Sequence, residues 1–485
     1  MWRADVLALE CGQRQWTYSQ LLNTVDRLAA ALQLEGVEPG ARIAILSENR
    51  AEYIMLQLAS ARIGAIVSCL NWRLAALELQ HCIELVEPVL CFVSSRFQSV
   101  FDQLGYLGAK QMAIDNCLPL AQSTEPGQRE PFADPEQGLL LLNTSGTTGL
   151  PKAALISHRA EIARMTTLRI DLKIEVGDAF LAWSPMYHIG GTEHSLSSLM
   201  MGSTVVITDG LDIEAMCSAI ARYSLGWLLL MPATIEPVLK RLRETNTQPR
   251  GVRVVGCMAD LVPAAQIAEV TTYFDAPFVN SFGSTETGLP PATSHLIPVA
   301  EVPVDFSKRL SSLCEFRLVD EQGLDVEPGA TGEIAIRGPT VFSGYWNSPE
   351  VNARDFRGGW FHMGDLLKQT ATGGFEFVGR SKYMIKSGGE NIYPAEIERV
   401  LLSDQRIAEA AVVRKPDPHW GEIVVLFVAV KNNELTAIDI ENLCRAKLAS
   451  YKRPREIHFI SMKDFPRNDS GKIMRELLEA RLDVV

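Results

Sequence analysis

Hydroxyls, glycines and one ammonium crowd into residues 144–152, TSGTTGLPK, directly behind the apolar run 139–142. The hydroxyls of Thr144, Ser145, Thr147 and Thr148, the open backbone at Gly146 and Gly149, and Lys152 are the groups that wrap a polyphosphate. The spacing is not the Walker pattern, because the two glycines stand too close and no Ser or Thr follows Lys152. An isolated Gly/Thr cluster is usually a surface turn. Here three further stretches add matching chemistry. NSFGSTETG (280–288) closes an apolar run with Ser281, Phe282, Gly283, Ser284, Thr285 and the carboxylate of Glu286. Mg²⁺ on a nucleotide takes one or two protein carboxylates beside phosphate oxygens. WFHMGDL (360–366) carries Asp365 behind a glycine, and a carboxylate can accept both hydroxyls of a ribose. PRNDSGKIM (466–474) sets Lys472 in a polar turn.

These stretches, in this order, resemble the AMP-forming acyl-CoA synthetase family, also called adenylate-forming ligases, of the fatty-acyl-CoA synthetase kind. The likeness runs from about residue 17 to 475 and is densest in 144–152 and 386–396. It implies activation of a carboxylic acid by ATP to an acyl-adenylate, with release of pyrophosphate, then transfer to CoA. Residues 144–149 and Lys152 would then hold phosphates. Residues 281–285 would line the nucleotide, Glu286 would hold Mg²⁺ with Thr144 as a second contact, and Asp365 and Arg380 would hold the ribose. Lys472 would be the catalytic lysine, offsetting charge between carboxylate and α-phosphate. Lys382 would be the pivot between domains. Ser387, Gly388 and Gly389 have too little side chain for catalysis and would admit the pantetheine arm of CoA. Tyr187, His188, Thr192, Met231 and Ala259 are the candidate acyl pocket, with His188 read as a gate in preference to a general base. They suggest an apolar acid.

The chain departs from the family pattern at Ala153 (family Gly), Met258–Ala259–Asp260 (a Gly-Gly-Ala/Glu type segment), Phe282 (Tyr), Met363 (Thr) and Tyr383 (often Asp). Two other outcomes of the same chemistry stay open at this level: a carrier protein in place of CoA, or oxidation of the adenylate as in luciferases. A member that binds ligands but has lost one half-reaction is a third.

The elements that must position these residues alternate. Apolar residues at helical spacing predict a helix over 18–34 with Thr17 as its cap, and another over 52–63. Short apolar runs predict strands over 42–46, 65–69, 139–142, 179–183, 204–208, 227–230, 253–255 and 277–279. Helices are expected from about 157, after 191 and over 213–223. The rhythm predicts crossover units and a largely parallel sheet. Residues 120–137 read as a linker. Residues 312–378 turn to short alternating runs between Gly, Pro and Asp, the texture of hairpins or a small barrel. Beyond 381 the pattern is mixed, with helices over 394–402 and 438–450 and strands over 410–414 and 423–430. The fold class is therefore α/β: a large N-terminal domain, 1–380, of parallel-rich sheets with a β-barrel-like subdomain, and a small mobile α+β C-terminal domain, 381–485.

At 485 residues the chain has room for two or three domains. Its net charge of −12 argues against nucleic acid and anionic membrane as partners. An anionic substrate then needs a local positive site. No run is long enough to span a membrane, and the nine cysteines form no CxxC pair, which reads as a reduced, cytoplasmic protein. No histidine cluster has metal-ligand spacing. Oligomeric state is open, a homodimer included.

Overall fold

The computed structural model describes residues 3–127, 134–144, 150–387, 390–431, 435–448, 450–468 and 471–482. The chain falls into two compact units, 1–316 with 336–361, and 317–335 with 362–485.

Two large sheets organise the described residues of the first unit. One has six strands in the order Lys110–Ala113, Leu90–Val93, Arg42–Leu46, Ile66–Cys69, Gly138–Thr144, Lys152–Ser157. The first five are parallel; the last runs antiparallel to its neighbour. The other has eight, in the order Leu296–Ile297, Phe278–Val279, Val252–Val255, Leu225–Leu228, Ala179–Ala182, Val205–Ile207, Leu7–Cys11, Arg14–Thr17. Its interior is parallel and both edge strands are antiparallel. Parallel strands demand cover on both faces, and the intervening helices supply it.

Local chemistry explains the helices. Tyr18–Leu34 starts at Thr17, whose hydroxyl and Gln20 form a reciprocal capping box, and it buries Leu21, Val25, Leu28 and Leu32. Ala51–Arg62 is buried on nearly every side, including polar Glu52, Gln57 and Ser60, which marks a core helix. Just before it, buried Asn49 donates to the carbonyls of Trp183 (3.3 Å), Ser184 (2.9 Å) and Thr208 (3.1 Å) and accepts from the Met186 N–H at 2.8 Å. One amide thereby ties the chain leaving Arg42–Leu46 to the ends of two strands of the other sheet.

The largest departure from the sequence reading follows the glycine-rich loop. The next helix does begin where expected, after Ser157, but the residues before it, left unassigned by the sequence, form a strand. This strand is Lys152–Ser157, paired with Gly138–Thr144 in the register Thr144↔Lys152. The apolar AALI of this strand is short, and a short apolar run does not announce its type. Ser157 then caps helix His158–Asp171. Helices Pro232–Glu244 and Ala264–Phe274 also complete the unit. Pro237 lies inside the first of these, and a proline within a helical pattern hides it from a periodicity search. In the supposed linker, residues up to Ser123 belong to helix Cys117–Ser123.

In the second unit, Trp360–Gln369 and Phe375–Arg380 pair as an antiparallel hairpin that sets Asp365 opposite Arg380. A further sheet is centred on Gly421–Val430, which pairs antiparallel with Ile407–Asp417 and parallel with Glu456–Phe459. Ile397 and Leu401 of helix Pro394–Leu402 pack with Val412, Val424, Leu426 and Val428 on one face. Val413, Val425 and Phe427 pack with Phe465 and Leu478 on the other. Each such side chain contributes about 1.5–3 kcal/mol by leaving water.

Gly256 supplies a test of the frame. It has φ of +79°, and a Cβ there would lie 2.1 Å from the buried Phe278 ring. Its carbonyl accepts from Trp227 Nε1 at 2.8 Å. Gly256→Ala should cost about 2–4 kcal/mol, summing left-handed strain and overpacking. Denaturant unfolding followed by tryptophan fluorescence measures this; an unchanged midpoint would contradict the packing described.

Candidate active site

Tyr345 joins the two charged groups singled out on the phosphate side. Residues 343–346 lie along the Lys152–Ser157 strand: Leu155 N–H donates to Gly344 O at 3.0 Å and Trp346 N–H to Ala153 O at 2.8 Å. This brings the Tyr345 ring under Lys152, whose Nζ stands 3.6 Å from the ring centroid. The Tyr345 hydroxyl donates to Glu286 Oε1 at 2.8 Å. Burial, and then the Glu286 charge, raises the Tyr345 pKa far above its ordinary value, so it stays a donor. The Asp355 carboxylate stands 3.9 Å from the Lys152 ammonium. A ring face attracts an ammonium electrostatically and fixes its position.

Backbone and side-chain bonds hold the Glu286 loop. Phe342 N–H donates to Glu286 O at 2.8 Å. Ser284 N–H donates to Thr287 Oγ1 at 3.1 Å, and Thr287 donates onward to Pro290 O at 2.6 Å. Gly283 is obligatory, since a Cβ would meet Gly288 O at 2.0 Å. Phe282 N–H donates to Thr293 Oγ1 at 2.9 Å. Ser281 Oγ accepts from Met258 N–H at 2.8 Å and so ties this loop to the 256–260 turn. In that turn Asp260, one of the departures from the family pattern, pairs with Lys308, which is 0% exposed and also donates to Asn280. Lys308 carries no sequence signal; only the fold brings it to the two strand ends.

Among the described residues no group of three or more His, Cys, Asp or Glu side chains is placed to hold a metal. Glu286 fits Mg²⁺ on a nucleotide, where one carboxylate suffices because phosphates supply the other oxygens. Its Oε1 takes the Tyr345 hydroxyl, and among the described residues Oε2 accepts no hydrogen bond.

On the acid side, residues 184–192 make a tight turn. A Cβ at Gly191 would lie 2.4 Å from the carbonyls of both Ser184 and Pro185. Tyr187 is buried, with the Trp72 ring edge-on at 5.8 Å between centroids. Thr192 is buried and bonded by Gln57. His188 is exposed, and its Nδ1 lies 3.3 Å from Gly190 N. Met231 is half-buried against two apolar clusters, one of which holds Ala259 and the other of which Met258 also touches. Trp72, Gln57 and Met258 join the earlier candidates. The remoteness of Trp72 and Gln57 in sequence gave no spacing to read.

The second unit holds the remaining candidates. Arg380 Nε donates to Asp365 Oδ1 at 2.9 Å across the hairpin. Glu333 braces the same strand, accepting from Gly364 N–H at 3.1 Å and lying 3.2 Å from His362 Nδ1. Lys382 Nζ and the Tyr383 hydroxyl both donate to Glu476 Oε1, at 3.0 and 2.9 Å. Lys472 is exposed in a turn closed by its own N–H on Asn468 Oδ1 at 2.9 Å. Ser387 is buried in strand Ile385–Ser387. Ser145, Gly146, Thr147, Thr148, Gly149, Gly388 and Gly389 lie outside the described residues.

Comparison with known proteins agrees with this chemistry. Residues 2–346 match the model of the AMP-binding enzyme family and residues 396–472 that of the AMP-binding enzyme C-terminal domain. The chain is similar to an indoleacetate–CoA ligase of Aromatoleum aromaticum, at 35% identity over 97% of this chain and 94% of that one. It is similar to a 2-succinylbenzoate–CoA ligase of Bacillus thuringiensis, at 31% over 98% and 95%. Among solved structures it resembles the o-succinylbenzoate CoA synthetase of Bacillus subtilis in complex with its acyl-adenylate intermediate. That likeness has a TM-score of 0.85 and 27% identity, over 98% of this chain and 95% of that one. The chain belongs to the AMP-binding enzyme family. It is an AMP-forming acid–thiol ligase, using ATP, Mg²⁺ and CoA. No helix among the described residues is long and apolar enough to cross a membrane.

Tyr345→Phe keeps the ring under Lys152 and removes the hydroxyl from Glu286. Acid-dependent pyrophosphate release should slow by about tenfold, the worth of one charge-assisted hydrogen bond. Tyr345→Leu, which removes the ring as well, should slow it further. Equal rates for wild type and both variants would show that Tyr345 does not position these charges.

Proposed function

We propose that the acid activated by this ligase carries an aromatic ring, and that the residues described above divide the reaction between them as follows. The acid carboxylate attacks the α-phosphorus of ATP. An acyl–O–P bond forms, the α–β phosphoanhydride breaks, and pyrophosphate leaves. Lys152 and the 144–149 loop take the β- and γ-phosphates, and Glu286 takes Mg²⁺, which offsets phosphate charge when bound. Asp365 and Arg380 orient the ribose. Lys472 compensates charge at the reacting oxygens. Little covalent work falls to the protein, so positioning carries the rate. In the second step the CoA thiol attacks the acyl carbonyl and AMP leaves, with Ser387, Gly388 and Gly389 beside the pantetheine arm. Because Lys472 serves only the first step, the C-terminal domain turns about Lys382 between the two.

The single observation that carries this assignment is Tyr345 holding both Lys152 and Glu286. The aromatic choice draws on two supports. Relatives across nearly the whole chain are named for indoleacetate, 2-succinylbenzoate and ferulate. On this reading the acid would meet the flat ring of Tyr187 and the polarisable Met231 and Met258, side chains that suit an aryl face. A straight-chain acid offers no ring for that contact. All nine cysteines are free thiols, which fits a cytoplasmic setting.

A panel of acids tests the substrate class. Indole-3-acetate, phenylacetate, ferulate and benzoates should exceed straight-chain acids of four to sixteen carbons by at least about tenfold in kcat/KM for CoA consumption, or about 1.4 kcal/mol. A straight-chain acid as best substrate would overturn the aromatic reading. Lys472→Ala should lower acid-dependent pyrophosphate release by about 10²–10³, the scale of one lost transition-state donor. Thioester formation from supplied acyl-adenylate should stay within about threefold, well under the 1.4 kcal/mol that a tenfold loss represents. Equal loss of both steps would rule out a role for the lysine confined to adenylation.

A further inference from the structure

Arg164 does not appear in any motif, yet it binds three separate parts of the site. It lies in helix His158–Asp171 and is 3% exposed. Its Nε donates to Thr340 O at 2.9 Å and its Nη2 to Thr285 O at 3.3 Å. Its Nη1 pairs with Glu193 Oε1, a carboxylate 1% exposed. Each target matters by position. Glu193 follows Thr192 in helix Thr192–Met200, on the acid side. Thr285 immediately precedes Glu286. Thr340 lies two residues before Phe342, whose N–H fixes the Glu286 carbonyl at 2.8 Å.

A guanidinium is planar and its donors are fixed relative to one another. Displacing one target therefore displaces the others. The packing leaves no slack: Gly288 has φ of +74°, and a Cβ there would meet Arg164 Cδ at 2.7 Å. A second carboxyl, Glu161, is 2% exposed and accepts from Ser197 Oγ at 3.0 Å. Burial, and then the neighbouring Glu193, pushes Glu161 well above the usual carboxyl range. Burial also pushes Glu193 up, against the pull of Arg164. The Arg164–Glu193 ion pair is buried on both sides. Breaking it would strand a buried charge, so the arrangement resists sliding.

We propose that Arg164 is a positioning residue that couples the acid pocket to the Mg²⁺–nucleotide site. An acid bound beside the 184–192 turn sets the helix that carries Glu193, and the guanidinium passes that setting to Thr285 and Glu286. Coupling between two ligands is reciprocal, so the acid tightens nucleotide binding and the nucleotide tightens acid binding. The proposal rests on the reading of Glu286 as the Mg²⁺ contact.

Calorimetry with α,β-methylene-ATP, which cannot release pyrophosphate, tests this without turnover. The analogue is titrated with and without Mg²⁺, and with and without a saturating amount of whichever acid gives the highest kcat/KM in the panel above. In the wild type the acid should tighten the Mg²⁺–analogue by about fivefold or more, within the usual range for such coupling. In R164Q, and in R164K, which keeps the charge but loses the fork, the effect should fall below about twofold while the analogue still binds. E161Q should keep the wild-type coupling, because Glu161 makes none of the Arg164 contacts to Thr340, Thr285 and Glu193. Full coupling in R164Q, or none in the wild type, would overturn the proposal. So would loss of analogue binding in R164K with or without acid, which is the mark of a purely structural pair. E286Q separates the underlying reading: if it leaves the Mg²⁺ dependence of analogue binding unchanged, the Glu286 assignment fails even where R164Q abolishes coupling.

Discussion

The first unit depends on Tyr345 being both a platform and a donor. Its ring face holds the Lys152 ammonium and its hydroxyl holds the Glu286 carboxylate. One side chain thereby fixes two charged groups that come from separate segments of the chain. The backbone makes the arrangement durable. Lys152 begins a strand, residues 343–346 bond along that strand, and the Glu286 carbonyl is fixed by Phe342. Moving any one of them breaks a ladder of main-chain hydrogen bonds, not a single side-chain contact.

The second unit uses paired charges in a different way. Asp365 and Arg380 face each other across a hairpin, so a ligand bonding one also reorients the other. Glu476 collects both Lys382 and the Tyr383 hydroxyl, while its neighbour Arg475 makes a two-pronged pair with Glu398 at 2.6 Å. The short helix Arg475–Glu479 is thereby fastened on two sides, close in sequence to Lys472. The burial of Arg475 raises the demand for its partner, because an unpaired guanidinium there would be costly.

The sequence was most informative where chemistry and local geometry coincide. Glycine-rich turns at strand ends, Thr17 as a cap, and the 3.6-residue spacing of Leu21, Val25, Leu28 and Leu32 all leave marks within a few residues of one another. The same holds for the order of the motifs at Lys152, Glu286, Asp365 and Lys472. Groups that act across the fold left no such mark. Tyr345 lies some two hundred residues from Lys152, and Lys308 meets Asp260 only because two parallel strands end side by side. Arg164 looks like any polar residue of a helix until its neighbours are known. The strand Lys152–Ser157 was hidden for a different reason. A short apolar run is compatible with either periodicity, and only pairing with Gly138–Thr144 decides.

Asn49 bonds almost entirely to main chain: the carbonyls of Trp183, Ser184 and Thr208 and the N–H of Met186. A clamp that grips backbone is indifferent to which side chains that backbone carries. The turn leading to Tyr187 and Thr192 can therefore exchange its side chains while its path stays put. In evolutionary terms, side chains of that turn can drift while the strand ends tied by Asn49 are not put at stake each time.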